Sequence, residues 1–499
     1  MRAFGSADDV ELTVGSNTQP VDLGGKTVIP GLIDAHIHLE KYARSLNMID
    51  CEQPTVAGCL ELIRKRAASS PKDSWILGHG WNQNTWGAFG KLDELDEAVP
   101  SQPAYLTAKS LHMAWVNSRA LQTSGIDDST PDPEDGAIQR DDSGKATGIL
   151  LEGAMRLVAA HIPAPTAEQL ADDLSAAQNR LSRLGLTGVH DFDGPACLRA
   201  LQIMRERGVL QLRVLKNIPV SKLASARDLG LRSGFGDSWI RIGNIKVFAD
   251  GALGPRTAAM LQPYEGETEN RGMLLLDGEA LVEIFEDAAI SGFGMTVHAI
   301  GDRANHEVLN AYGLLRKYEK EHSLPQRRHR IEHLQVLHPD DLVRPSELDV
   351  VVSMQPIHAT SDMEMADRYW GDRTAQAYAW RSQLEKGARL AFGSDAPVEI
   401  PDPIQGLAAA VTRRLEDGSP GVDGWVPDQR IGIGEALAAY TTGAAYAAGT
   451  ESWQGQLGSG YAADLVVLSQ DPFEVDSDEL SELTVLGTMV GGDWSYRGF

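Results

Sequence analysis

Short apolar segments rich in β-branched residues recur along the chain, and polar residues stand at the ends of several of them. Between most of these segments lie stretches with apolar residues three and four positions apart, such as 280–292 and 304–320, which is the spacing of an amphipathic helix. Strand-then-helix alternation predicts a parallel sheet, and eight such units predict a (β/α)8 TIM barrel of the α/β class. The eight predicted strands lie in residues 28–38, 186–193, 212–218, 242–250, 294–300, 329–335, 350–356 and 389–397.

Two parts of the chain do not fit a bare barrel. The part between about residues 40 and 185 is too long for one connection, and it contains a strand-like run at 102–110 and a loop rich in Pro, Asp and Gly at 126–148. The two chain ends are also β-like, as in KTVIPG and ADLVVLS. The predicted domains are a small β-sandwich built from residues 1–29 and 454–499, and a barrel at 30–453 with an insertion after strand 1, at about residues 60–185.

Composition narrows the class of protein. Of the 499 residues, 42% are hydrophobic and 23% charged, which is typical of a soluble globular protein. The formal net charge of −25 disfavours nucleic acids and anionic membranes as partners but does not identify a substrate. The sequence has no apolar run long enough to span a membrane, no secretory signal and only three cysteines, so we expect a cytoplasmic protein.

Candidate chemistry begins in GLIDAHIHLEK, where His36 and His38 stand one residue apart. On a β-strand, residues i and i+2 face the same side, so two imidazoles can share a ligand, most commonly a metal ion. Each such residue alone also fits a structural role, as a buried histidine or a helix-capping aspartate, but together they suit a borderline divalent ion such as zinc. Further candidate ligands on other predicted strands are Lys246, His298, His333 and Asp395.

These motifs resemble the amidohydrolase superfamily of metal-dependent hydrolases. The superfamily-like motifs are VIPGLIDAHIH, VHAIGDRAN, RIEHLQ, FGSDAPV and ADLVVL. The finer resemblance is to the amidohydrolase-3 branch, which includes N-substituted formamide deformylases, and it runs from about residue 20 to 475. The motifs that carry it are GHGWNQNTWG, AWVNSRAL, IKVFADGALGPRTAAM, SMQPIHATSDM, DPIQGLAAAVTRR and EALAAYTTGAAYA.

The resemblance implies a role for each candidate ligand. His36 and His38 would bind a first, buried metal, and His298 and His333 a second. Lys246 stands where related enzymes use a carbamylated lysine (carboxylysine) to bridge two metals. Asp395 stands where the superfamily has a ligand that is also the general base. The implied cofactor is a divalent metal, with zinc as the first candidate and one or two ions per subunit. The implied activity is hydrolysis of a non-peptide carbon–nitrogen (amide) bond of a small-molecule substrate by a metal-activated water.

A second group of residues falls in family-like motifs beside the predicted barrel mouth. Trp81 and Trp86 could equally be packing residues, and Arg256 could bind either a substrate carboxylate or a neighbouring acid. His112 lacks the glycine that relatives more often have immediately before it. The predicted substrate-binding residues are Trp81, Trp86, His112, Arg256, Gln355, His358 and Arg413.

Three other functions use parts of the same pattern. An esterase or lactonase would need the same metal-activated water, so the ligands cannot separate it from an amidase. A catalytically silent, ligand-binding barrel would lack a ligand or the base, and all are present here. A glycosidase barrel would need two carboxylates and no metal, which the histidines argue against.

The chain-end domain also looks smaller than in relatives, and a homodimer would cover its free edge.

Overall fold

The computed structural model describes residues 1–11 and 13–499. The strands are β1 Thr27–Pro30, β2 Leu32–Ile37, β3 Ile49–Asp50, β4 Ile76–Trp81, β5 Ala104–Ala108, β6 Met113–Val116, β7 Gly136–Arg140, β8 Ala146–Glu152, β9 Leu186–Asp191, β10 Arg213–Pro219, β11 Ile240–Phe248, β12 Met295–Ala299, β13 Arg330–His333, β14 Val351–Met354, β15 Arg389–Phe392, β16 Leu465–Leu468, β17 Val485–Val490 and β18 Asp493–Arg497.

The helices complete the secondary structure. They are α1 Ala7–Glu11, α2 Leu39–Ser45, α3 Val56–Ser69, α4 Gln83–Trp86, α5 Leu92–Ala98, α6 Ser118–Thr123, α7 Met155–Ala159, α8 Ala167–Arg183, α9 Pro195–Glu206, α10 Leu223–Asp228, α11 Gly278–Ile290, α12 Asp302–Glu321, α13 Arg344–Glu347, α14 Pro356–Ser361, α15 Met363–Trp370, α16 Trp380–Glu385, α17 Pro403–Thr412, α18 Ile433–Ala438 and α19 Ala444–Ala448. Within the described residues, no helix is long and apolar enough to cross a membrane.

Eight parallel strands form a nearly closed barrel, as the sequence predicts. Their order around it is β2, β9, β10, β11, β12, β13, β14 and β15. The ends of the first and last strands meet through two backbone hydrogen bonds, from Asp395 N to His36 O (2.6 Å) and from His38 N to Ala396 O (2.9 Å). The predicted (β/α)8 fold is confirmed, and the junction where the barrel closes carries three of the candidate chemical residues.

Local sequence explains where the barrel helices begin. The helix α11 starts after Asp277, whose side chain accepts a hydrogen bond from Ala280 N, and α8 starts after Thr166, which forms a capping box with Gln169. Such caps satisfy backbone donors that the first helical turn leaves free. The apolar faces of these helices pack on the strands in one large core. The barrel is therefore a rigid frame for side chains at its C-terminal end.

The long segment between β2 and β9 forms its own sheet. Strands β3, β4 and β5 are parallel, and β6, β8 and β7 continue the sheet with antiparallel pairing. A separate hydrophobic cluster covers each face of this sheet. We call residues 49–152 the inserted sheet. The predicted boundaries of the inserted subdomain, at about 60 and 185, stay a prediction.

Both ends of the chain meet in a four-stranded antiparallel sheet of order β1, β16, β17, β18. A buried ion pair ties this sheet to the barrel, since Arg213 Nε and Nη2 lie 2.7 and 2.9 Å from the two carboxylate oxygens of Asp464. The association of the two chain ends agrees with the predicted fold class, and the domain limits at residues 29 and 454 stay predictions.

Candidate metal centre

Two imidazoles and one carboxylate converge where the barrel closes. The Nε2 atoms of His36 and His38 lie 3.3 and 3.4 Å from the same atom, Asp395 Oδ1. His36 is on β2 and His38 directly follows it, so the strand's alternation aims both rings into the barrel mouth. Asp395 follows β15 with φ at +60°, a left-handed conformation that is uncommon outside glycine and often found at functional sites.

Three more histidines surround this group. The His298 ring at the end of β12 lies 4.5 Å, centroid to centroid, from the His333 ring at the end of β13, and His333 lies 5.0 Å from His36. His358, on α14, stacks 6.1 Å from His333. One donor atom from each of His333, His358 and Asp395 falls within 4.8 Å of the others. His358, predicted as a substrate residue, therefore also stands among the possible ligands.

A fixed hydrogen-bond acceptor holds one ring nitrogen of each of four histidines. His36 Nδ1 lies 2.7 Å from Glu332 Oε2, and His38 Nδ1 lies 3.1 Å from Asp193 Oδ1. His333 Nδ1 lies 2.9 Å from Gln355 Oε1 and His298 Nε2 lies 2.9 Å from the Gly251 carbonyl. An acceptor at one ring nitrogen places the proton there and leaves the lone pair of the other nitrogen free, as in histidines that bind metals.

Sequence reasoning missed Glu332 and Asp193. A signal for both exists in the sequence, because each is a charged residue at the C-terminal end of an apolar predicted strand, Glu332 near the end of β13 and Asp193 two residues after β9. Arg330 is fully buried and its Nε lies 2.7 Å from Glu332 Oε1. Buried charged residues need partners, and here the partners include His36 and His38, two of the candidate ligands.

Burial sets the protonation of the cluster. It holds the pKa values of His36, His298 and His333 well below the ordinary range and lowers that of His38 to about 4. Neutral imidazole is the form that binds metals. Burial also raises the pKa of Asp395 to about 7, because a desolvated carboxylate is disfavoured.

Lys246, on β11, is 3% exposed. Its Nζ lies 4.8 Å from the ring centres of both Phe192 and Phe248. Burial lowers its pKa to about 8, since an ammonium is costly in an apolar setting.

Several polar atoms in this cluster are buried without a hydrogen-bond partner among the described residues. They are His36 Nε2, His358 Nε2, Asp395 Oδ1 and Lys246 Nζ. Buried polar atoms are normally paired, and unpaired ones call for an explanation such as an ion. Nitrogen and carboxylate donors in this number are the set that a borderline divalent cation takes. The donor set therefore fits a metal ion.

The cluster lies at the floor of a cleft of about 90 Å³. The barrel supplies one wall, and residues 81–84, 108–110 and 112–113 of the inserted sheet supply the other. The predicted residues that line the cleft are Trp81, His112, His298, His333, His358 and Asp395. Gln355 stands behind His333 and orients it, as its 2.9 Å contact shows.

The other three predicted substrate residues lie away from the cleft lining. Trp86 donates its indole N–H to Gln53 O (2.7 Å), and Arg256 pairs with Glu267. Arg413 is fully buried and donates to the carbonyls of Trp425 (2.6 Å) and Tyr378 (3.0 Å). Their motifs thus have structural contacts in this chain, and their roles in substrate binding stay predictions.

With this fold and this cluster of donors, the class of protein is clear. The chain belongs to the amidohydrolase family, whose sequence profile matches residues 19–496. The family resemblance predicted from the motifs is confirmed.

Individual relatives agree along nearly the whole chain. YtcJ of Bacillus subtilis (strain 168), which carries an amidohydrolase name, is 32% identical and covers 100% of this chain and 94% of its own. The N-substituted formamide deformylase of Arthrobacter pascens is 30% identical, with coverage of 99% and 92%. The structure of an uncharacterized metal-dependent hydrolase from Pyrococcus horikoshii OT3 has a TM-score of 0.75 and 29% identity, and covers 94% of this chain and 90% of that one.

Proposed function

We propose that this protein is a metal-dependent hydrolase of a non-peptide carbon–nitrogen (amide) bond in a small molecule. One observation carries the proposal: two histidines point their Nε2 atoms at a shared carboxylate oxygen, 3.3 and 3.4 Å away, while carboxylates hold both Nδ1 atoms. This arrangement prepares two neutral nitrogen donors for one cation. The formamide deformylase and the metal-dependent hydrolase among the relatives support the same activity.

The proposed ligands fall into two groups. His36, His38 and Asp395 would hold the first ion, and His298 and His333 a second, with Lys246 between the groups as a carbamate. A divalent cation, for which the donor set favours zinc, supplies a Lewis acid that polarises a carbonyl and lowers the pKa of water.

The chain's own acid–base chemistry falls to Asp395. Its side chain lines the cleft and its Oδ1 lies beside both histidine Nε2 atoms. Asp395 takes a proton from the attacking water and returns it to the leaving nitrogen, which a carboxylate with a raised pKa can do. The surrounding cleft, lined by Trp81, Met113 and Leu253 among others, limits access of bulk water to the reacting bond.

An ester or lactone hydrolase remains the second candidate, because the same centre polarises either carbonyl. We place the protein in the cytoplasm, a proposal supported by three buried cysteines that are all free.

The test is metal analysis of the purified protein, followed by a matched panel of one N-formyl amine, one N-acetyl amine, the corresponding esters and a lactone. We expect bound zinc and the highest kcat/KM with an amide, both lost on chelation and restored by zinc. Full activity after verified metal removal would contradict the metal, and hydrolysis of esters or lactones alone would contradict the amide.

A further inference from the structure

The inserted sheet brings a histidine into the barrel's cleft. His112 lies just before β6, lines the cleft, and has its ring 5.5 Å from that of His298. Its Nδ1 lies 2.8 Å from Glu152 Oε2, at the end of β8. The Nε2 atom is therefore the ring nitrogen left for another partner.

Glu152 is itself held from two directions. Its Oε1 accepts a hydrogen bond from Thr257 Oγ1 (2.7 Å), in the loop after β11, and its backbone N donates to His112 O (3.0 Å). A Cβ on Gly251 would come within 2.6 Å of Glu152 Oε1, so the glycine makes room for this contact. Thr257 thus links the carboxylate of the inserted sheet to the barrel.

Backbone strain marks the same residue. Glu152 has φ at +48°, a left-handed conformation that is strained for a residue with a long side chain. Glu152 and His112 have side chains only 8% and 16% exposed. A function at His112 explains this strained, nearly buried carboxylate of Glu152 better than packing does.

We infer that Glu152 is a positioning residue that turns His112 Nε2 towards the reacting amide group, so that the inserted sheet contributes a substrate-contacting side chain to the barrel's centre. The inference rests on the proposed function. The Thr257–Glu152–His112 chain uses the logic of a carboxylate that orients a catalytic imidazole. It assigns a role to Glu152, which no sequence motif singled out.

The experiment is a double-mutant cycle with His112→Ala, Glu152→Gln and the double variant, assayed on the best amide of the panel. Glu152→Asp is the second probe, because it keeps the charge, shortens the reach by one methylene and suits a left-handed backbone better than Glu. Asp132→Asn is the matched control: it makes the same acid-to-amide change in the inserted sheet, at an exposed ion pair with Arg140. Zinc content and thermal unfolding are measured for every variant.

We expect His112→Ala to lower kcat by about 10²-fold with little change in KM, the size of one lost contact to developing charge. Glu152→Gln and Glu152→Asp should each lower kcat by about tenfold or more, since misplacing a reacting group is costly. The double variant should equal His112→Ala alone, because Glu152 acts through His112. Zinc content, and the activity of Asp132→Asn, should stay at the wild-type level.

The inference would be overturned if the kcat losses of His112→Ala and Glu152→Gln multiplied in the double variant. A Glu152→Asp protein with wild-type kcat would also overturn it. A zinc-loaded, stable His112→Ala protein with normal kcat would also overturn it and would leave the proposed function intact. A wild-type protein that hydrolyses no amide would instead contradict the proposed function.

Discussion

A buried carboxylate–histidine pair stands at each end of β13, and the two pairs differ in one respect. At the N-terminal end, His329 uses both nitrogens: Nε2 lies 3.0 Å from Glu319 Oε1, and Nδ1 accepts from Met295 N at 3.0 Å. At the C-terminal end, Glu332 Oε2 lies 2.7 Å from His36 Nδ1, whereas His36 Nε2 has no hydrogen-bond partner among residues 1–11 and 13–499.

The two buried lysines of neighbouring strands repeat this contrast. Lys216, on β10, has its Nζ 2.7 Å from Asp191 Oδ2 and donates to Asn217 O at 2.9 Å. Burial is the largest single effect and lowers its pKa, but Asp191, Cys197 and Asp193 together more than offset this and raise the pKa. Lys246, on β11, has no such partner in the described chain. Buried polar groups whose hydrogen bonds are all made (saturated groups) stabilise the barrel. Groups at the mouth whose hydrogen bonds are not made (unsaturated groups) are available to bind a ligand.

The contrast predicts opposite results for two alanine variants. His36→Ala should lower kcat/KM by on the order of 10³-fold or more while the protein stays folded, since a Lewis acid supplies several kcal/mol and each 1.4 kcal/mol is tenfold. His329→Ala should instead lower the free energy of unfolding by about 1–3 kcal/mol, because it strands buried partners, and the folded fraction should keep its activity. Amide kinetics measure the loss of activity, and denaturant unfolding measures the loss of stability. A fully active His36→Ala protein would contradict the contrast between the two histidines.

Two aspartates allow the next comparison. Asp402 is a true N-cap, accepting from Ile404 N and Gln405 N at the start of α17, whereas Asp395 caps none of the helices in the described part of the chain. Asp395→Asn should lower kcat by about 10²-fold or more, since an amide cannot accept the proton, and should keep most of the zinc. Asp402→Asn should change little, because Asn caps a helix as well as Asp. Equal kcat values for the two zinc-loaded variants would mean that the base lies elsewhere, with His112 or His358 next.

The supporting glutamates give a smaller effect. Glu332→Gln should weaken zinc binding by about 10- to 100-fold, the usual cost of losing the carboxylate behind a ligand histidine. Glu319→Gln removes the same kind of carboxylate at the other end of β13 and should leave the zinc Kd unchanged while lowering stability. Chelator competition measures the Kd. A Kd that shifts equally in both variants would show that the effect is general loosening of the strand.

Much of this arrangement is readable in the sequence. The eight strands follow from apolar runs, and the candidate ligands follow from polar residues at their ends, because parallel strands in a barrel carry their chemistry at one rim. The segment HRIEH, however, contains both His329 and His333, and nothing local says which is saturated. That depends on Glu319 and Met295, which reach His329 from α12 and β12.

Long-range contacts also set surroundings that the sequence does not indicate. Arg413 stands in a family-like motif, yet its guanidinium is enclosed between the Trp380 and Trp425 rings, 4.4 and 5.0 Å away. Glu152 lies in the insertion, where the sequence indicates a strand-like run only at 102–110. Its meeting with His112 depends on the pairing of β6 with β8, a register that a single sequence does not specify.

Lys246 and Lys216 should also differ in their reaction with CO₂. Burial lowers the pKa of Lys246 to about 8, so its neutral fraction near neutral pH is larger than that of an ordinary lysine. The neutral amine can attack the carbon of CO₂ and release one proton to give a carbamate. Lys216 is kept as an ammonium by Asp191 and should not react. Protein loaded with zinc in ¹³C-bicarbonate should therefore show one carbamate carbon signal, and Lys246→Ala should remove that signal. Peptide mapping under conditions that trap the carbamate should find no label on Lys216. Formate or acetate should partly restore activity to Lys246→Ala, because a free carboxylate supplies the same oxygen donors. A signal that survives in Lys246→Ala, or zinc-loaded wild-type protein without one, would show that the lysine stays unmodified and would favour a single-ion centre at His36, His38 and Asp395.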